Sequence, residues 1–303
     1  MLKIICLFAT EKGYKSIKSA IENGYIDNIA CVITFKETVS KSFENEMVEL
    51  CKNNNIDFYF WGGVKNQLVD LVDMYKASGI IAMGWKYLLP ISLNDYLKYP
   101  LIVFHDSLLP KYRGFSPTPT AIINGDNKTG VTAIFASTEV DKGDVLWSKE
   151  VDIDQNDYVQ DIINKQSNAY AEGFMFLIDS INQNNLTSSI QDEKNASYSI
   201  WRNLDDCKID FCKSSIGVYN FIRALGTPYP GAFTIYKGKK IFVEKASVEN
   251  DINFEIRDCG KLWSIVDNCP LVICGEGMIK IKQASYEDGS KVEFDLLRYR
   301  LGE

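Results

Sequence analysis

The sequence predicts an α/β protein: a mostly parallel sheet with helices on both faces, followed by a smaller C-terminal unit that is mostly antiparallel β. Three observations carry this reading. The first 110 residues alternate short apolar runs with stretches of helical periodicity, a polar Asn- and Ser-rich stretch interrupts the chain at 182–197, and beyond 200 the sequence becomes strand-rich with turn signals.

The strands come first. Runs at 3–8, 30–35, 56–60, 79–83 and 101–105 are short and near-continuously apolar, the pattern of strands buried on both faces. Between them Phe43, Met47 and Cys51, then Leu68, Leu71, Val72 and Tyr75, recur at helical spacing. That β-α-β-α order implies a parallel sheet, a Rossmann-like arrangement. A strand at 131–136 and a long helix at 158–181 complete the first domain, 1–185. Residues 186–200 read as a linker, since the polar stretch ending there lacks apolar periodicity. The second domain, 201–303, opens with a helix at 214–225 and continues as strands at 232–236, 240–246, 262–266, 271–273 and 278–282, the make-up of a small antiparallel (OB-like) β domain.

Composition narrows the function. The chain has 303 residues, 46% of them hydrophobic and 24% charged, which excludes extensive disorder and collagen-like repeats. It contains one histidine, so no three-His zinc site or H-E-x-x-H motif exists, and no metal is expected. With 33 basic against 40 acidic residues the net charge is −7, and no block of like charge marks a nucleic-acid tail. None of the eight cysteines forms a C-x-x-C pair, and several sit in apolar runs, as Cys6 and Cys274 do, which points to buried thiols in a cytoplasmic protein. The N-terminal apolar run is followed by Glu11 and Lys12 with no cleavage pattern and reads as a strand; no stretch is long enough for a membrane span.

The chemistry concentrates at two loops. In an open parallel sheet, ligands bind beyond the carboxyl ends of the strands, and His105 ends one such strand. The run H-D-S-L-L-P-K-Y-R-G from His105 to Gly114 follows it directly, and the strand at 131–136 leads into an acidic loop containing Asp141 and Asp144. A carboxylate beside an imidazole orients it and stabilises its protonated form. From spacing alone, a lone His at a strand end such as His105 is more often a hydrogen-bonded structural residue than a catalyst. A serine-hydrolase reading through Ser107 lacks both G-x-S-x-G and an oxyanion loop.

The run 105–114, Asn124-Gly125-Asp126, Thr129-Gly130-Val131-Thr132 and Asp141-Lys142-Gly143-Asp144 resemble the formyltransferases that use N10-formyltetrahydrofolate. In the second domain, 219–225, the run P-Y-P-G-A-F at 228–233 and Cys274-Gly275-Glu276-Gly277 resemble the C-terminal domain of methionyl-tRNA and sugar N-formyltransferases, so the likeness covers nearly the whole chain. It implies formyl transfer to an amine with N10-formyltetrahydrofolate as donor, by an Asn, His and Asp trio in which the Asn lies two residues before the His. His105 and Asp141 match; the Asn position is Val103, which cannot donate a hydrogen bond to a developing oxyanion. The resemblance sets the donor's pterin against the loop 84–90, with main-chain contacts near Leu88 and Leu89, and against Val140 and Asp141.

The acceptor is argued from charge. Residues 200–303 hold 15 basic and 15 acidic residues, whereas a domain gripping tRNA phosphates should be basic. A nucleotide-linked amino sugar, as used in polysaccharide biosynthesis, needs only a few cations for its diphosphate. Lys86, Lys111, Arg113 and Arg202 are the candidates, with Trp85, Tyr112 and Trp201 as stacking neighbours, although each cation suits a solvated surface equally well. No nucleic-acid or membrane partner is expected, and the edge strands of the second domain suit a homodimer. Methionyl-tRNA formylation, transfer of another one-carbon or acyl unit, and a non-catalytic folate- or nucleotide-binding homologue remain the alternatives.

Overall fold

The computed structural model describes residues 2–36, 43–295 and 297–302. It divides into two compact units: residues 1–117, 128–152 and 162–200 form the first, and 118–127, 153–161 and 201–303 the second.

In chain order the elements of the first half are β1 (Ile4–Phe8), α1 (Thr10–Glu22), β2 (Ile29–Thr34), α2 (Glu44–Asn53), β3 (Phe58–Phe60), α3 (Trp61–Val64), α4 (Leu68–Tyr75), β4 (Gly79–Met83), β5 (Ile102–His105), β6 (Arg113–Gly114), α5 (Pro117–Asn124), β7 (Lys128–Phe135), β8 (Val145–Asp152), α6 (Val159–Asn182) and β9 (Tyr198–Ser199). A seven-stranded sheet runs β3-β2-β1-β4-β5-β7-β8. Its first five strands are parallel; β7 pairs antiparallel with both β5 and β8. All five residues of β1 and of β4 are buried, because side chains leave a central strand on both faces and each face is covered.

Period-two alternation divides the core accordingly. Ile4, Cys6 and Phe8 join Ile17, Met47, Cys51, Tyr170 and Phe174 on one face, beneath α1, α2 and α6; Ile5 and Leu7 join Val64, Leu68, Leu71 and Val72 on the other, beneath α3 and α4. The mostly parallel sheet with helices on both faces is therefore observed.

The second unit contains α7 (Ser215–Ala224), whose N-cap Ser214 accepts a hydrogen bond from Gly217 N, and a five-stranded sheet. Its strands β10 (Phe233–Tyr236), β11 (Lys239–Glu249), β12 (Leu262–Val266), β13 (Cys269–Ile273) and β14 (Met278–Tyr286) lie in the order β10-β11-β14-β13-β12, antiparallel throughout.

The polar stretch read as a linker is folded against the first unit. Tyr198 and Ser199 form β9, which pairs in parallel with β6, and Gln191 is buried. All eight cysteines are free thiols, five of them buried. Among the described residues no helix is long and apolar enough to cross a membrane, and no cluster of ligating side chains suits a metal ion.

Candidate active site

His105 closes β5 with 8% of its surface exposed, and Thr132 of β7 stands opposite it. Its Nε2 lies 2.8 Å from the main-chain oxygen of Tyr112. A carbonyl only accepts, so Nε2 carries the hydrogen and donates it, which leaves the Nδ1 lone pair of the neutral ring open. Nδ1 faces Asp141 Oδ2 at 3.5 Å. The two loops singled out in the sequence are thus brought together.

Asp141 is held from three sides. Its Oδ2 accepts a 2.8 Å hydrogen bond from Gly114 N, its main-chain oxygen accepts Gln191 Nε2 at 2.7 Å, and its backbone sits in the left-handed region at φ 53°. Asp and Asn tolerate that conformation better than bulkier residues. Gly114 has φ 97°, and a Cβ there would lie 2.6 Å from Ser199 O, so the close pairing of β6 with β9 requires glycine.

Arg113 corrects an expectation. Proposed from sequence as an open cation for a substrate phosphate, it is instead fully buried: its guanidinium donates to Gln191 Oε1 at 2.8 Å and, in a fork, to Glu193 Oε1 at 2.7 Å and Oε2 at 3.0 Å. Gln191 in turn donates to the oxygens of Asp141 and Gly143. Arg113 therefore braces the loop that carries the carboxylate.

A second network lies behind His105. Asp106 accepts Lys12 Nζ at 2.5 Å and Tyr170 Oη at 2.6 Å, while Gln166 Nε2 donates to the main-chain oxygens of Asp106 and Gly130 at 3.1 Å each. Burial pushes the Asp106 carboxyl up, but the charge of Lys12 and the hydrogen bonds from Lys12 and Tyr170 outweigh it and hold the group below the ordinary carboxylate value. Burial and the neighbouring Asp106 push the Tyr170 hydroxyl well above its usual range. Ser107 belongs to the loop's scaffold: fully buried, it donates to Lys111 O at 2.6 Å.

Val103 lies on β5 between β4 and β7, opposite Ala82 and Ile134, and is partly buried against the core beneath α3 and α4, with no donor to offer. In the loop after β4, Gly84 at φ 59° approaches Ala9 and Thr10 so closely that a Cβ would meet Thr10 Oγ1 at 2.6 Å. Beyond it Trp85 Nε1 is buried without an acceptor, Leu89 packs on the core, and Leu88 is 96% exposed. Val140, beside Asp141, is 58% exposed. Lys86 is exposed, its ammonium 4.5 Å from the Phe35 ring centroid, and Lys111 is exposed as well. Arg202 falls in the other unit. Lys12, Tyr170, Gln166, Gln191 and Glu193 were not singled out from sequence.

The formyl transferase family model matches residues 2–177, and that of the formyl transferase C-terminal domain matches 203–297. The methionyl-tRNA formyltransferase of Clostridium novyi is 28% identical over 294 residues, 94% of this chain and 92% of its own. That of Alkaliphilus oremlandii is 31% identical over 217 residues, 71% and 68% respectively. Among solved structures, WlaRD, a sugar 3N-formyl transferase crystallised with dTDP and 5-N-formyl-THF, superposes with a TM-score of 0.68 at 21% identity over 98% of this chain and 99% of that one. The N-formyltransferase of Helicobacter canadensis, in complex with folinic acid and dTDP-3-aminofucose, gives 0.69 at 19% identity over 96% and 100%.

Proposed function

Because the chain belongs to the formyl transferase family, whose members are enzymes, we propose that it moves the formyl group of N10-formyltetrahydrofolate onto the amine of a nucleotide-linked amino sugar. The donor is supported by the folates named with WlaRD and the Helicobacter canadensis enzyme, and the acceptor class by the dTDP-sugar of the latter. The observation that carries the choice of acceptor is charge: residues 200–303 balance at 15 basic and 15 acidic and the whole chain nets −7, where neutralising an RNA backbone calls for a basic face.

The residues divide the work as follows. The attacking amine must lose a proton, and Nδ1 of His105 takes it, since Nε2–H is committed to Tyr112 O. The imidazolium so formed meets the Asp141 carboxylate, fixed by Gly114 N–H and Gln191. The proton placed on Nδ1 is thereby stabilised where it arrives, to be returned to N10 of the donor as its bond to the formyl carbon breaks. A pterin-bearing donor fits the loop 84–90: Leu88 and Val140 hold apolar side chains in solvent, and the buried Trp85 indole N–H lacks an acceptor. Main-chain groups at Leu88 and Leu89, with Val140 and Asp141, hold the donor, and Lys86 and Lys111 serve the acceptor's diphosphate. The reduced thiols suit a cytoplasmic site of action.

One specific observation favours a second reading. The sequence relatives described above are methionyl-tRNA formyltransferases, one of them matched across 94% of this chain. Both readings are tested together: the purified chain is given N10-formyltetrahydrofolate with a panel of nucleotide-linked amino sugars and, separately, methionyl-tRNA. A formamide detected by mass spectrometry on a sugar is the expected result; formylation of methionyl-tRNA alone overturns it. Binding of folate without transfer to any amine would make the chain a non-catalytic homologue, the outcome that Val103 makes worth testing.

A further inference from the structure

In the second unit Arg202, Lys208 and Lys213 line a cavity of about 200 Å³, together with Asp206, Asp210, Val218 and Phe221. The Nε of Arg202 is buried there with no hydrogen-bond partner. Among the described residues none of the three cations forms an ion pair, although two carboxylates share the cavity wall. Those carboxylates are turned to the backbone: Asp206 Oδ2 accepts Asn203 N and Asp210 Oδ1 accepts Cys212 N, each at 2.9 Å. Lys208 Nζ reaches only Gly302 O, at 3.4 Å.

We propose that this cavity is a phosphate site, with the Arg202 guanidinium as its fork and Lys213 and Lys208 as supporting charges. Guanidinium matches the planar spread of phosphate oxygens, and a buried N–H without an acceptor is the signature of a missing one. The apolar walls of Val218 and Phe221 strengthen the attraction by excluding water. At about 30 Å³ per water, the space equals about seven waters, enough for a phosphate or diphosphate but not for a nucleoside. The balanced charge of residues 200–303 favours a single phosphate or diphosphate over a run of phosphates. Two sources share that chemistry: the diphosphate of a nucleotide-bearing small molecule, and the phosphate of an RNA end. The site does not rest on His105 or on the identity of the acceptor.

Isothermal titration of the full chain with inorganic pyrophosphate at low salt tests it. Binding is expected to include one site weakened at least tenfold by Arg202→Gln, severalfold by Arg202→Lys, which keeps the charge and loses the fork, and severalfold by Lys213→Gln, beside any weaker binding at Lys86 and Lys111. Lys18→Gln, on α1 of the first unit, should bind as wild type does. Thermal melts of each variant separate lost binding from lost fold. Displacement of pyrophosphate by UDP or dTDP assigns the site to a nucleotide; displacement by tRNA alone assigns it to RNA. The proposal is overturned if the wild type does not bind pyrophosphate, if folded Arg202→Gln binds it undiminished, or if neither competitor displaces it. Failure of the formylation assays leaves this measurement readable on its own.

Discussion

Nδ1 of His105 lies 3.5 Å from Oδ2 of Asp141, on the side of the ring opposite the hydrogen bond from Nε2 to Tyr112 O. The proton inventory of the site follows from that pair: one ring nitrogen is spoken for, and the other faces a carboxylate.

His105→Asn should lower kcat by about 10²–10⁴-fold, the usual contribution of a general base, with folate binding retained. Steady-state kinetics beside a folate-binding titration read both quantities. Unchanged turnover would remove His105 from the reaction.

Asp141→Asn keeps a side chain that tolerates φ 53° and still accepts from Gly114 N, while removing the charge opposite Nδ1. Turnover should fall and the pH–rate profile shift, with the melting temperature nearly unchanged. A drop in melting temperature as large as the drop in rate would mark the carboxylate as structural.

Val103→Asn restores an amide two residues before His105, on the same side of the strand. An oxyanion donor is worth about 2.7–4 kcal/mol. Raised kcat with a lowered melting temperature is expected, because the amide replaces a partly buried apolar side chain. No gain in rate would mean that another donor already serves the formyl oxygen.

Lys12 and Asp106 set a pH dependence of stability. The Asp106 carboxyl is held below its unfolded value, so its contribution is fully present above the ordinary carboxylate range and is lost as pH falls through the lower, folded value. Denaturant titrations should show stability declining in acid, with part of that decline absent in Asp106→Asn. At neutral pH, Lys12→Met should cost about 1–3 kcal/mol by leaving the partly buried carboxylate with Tyr170 Oη but without its counter-charge.

The thiols should divide by reactivity. Burial pushes Cys31, Cys51 and Cys274 up to about 12 and Cys6 well above its ordinary value, whereas Cys212 is exposed. Iodoacetamide at neutral pH should therefore label Cys212 and spare those four until the chain is unfolded, as peptide mapping would show.

Most of the sheet was legible because strands buried on both faces read as apolar runs, as at 79–83. β8 was not: its V-L-W-S-K-E-V-D sequence exposes half its side chains at the sheet edge. α1 buries Gly13, Ser16, Ile17 and Ala20, of which only Ile17 is a large apolar side chain. His105 and Asp141 were found through strand ends and family likeness. Their supports were not, because Lys12 lies 94 positions from Asp106, Gln191 50 from Asp141 and Glu193 80 from Arg113, distances at which no local pattern operates. One signal was available: the polar stretch at 182–197 contains neither Gly nor Pro, unlike a flexible connector.

The pairing of β6 with β9 joins the segment 186–200 to the loop that begins at His105. Arg113 N donates to Ser197 O and Phe115 N to Ser199 O, while Gln191 and Glu193 clamp the Arg113 side chain. Amide hydrogens on the two segments should therefore exchange as one cooperative opening, at a lower free energy than the central strands β1 and β4. A protease cut within 186–200 would then silence the histidine while leaving the sheet standing.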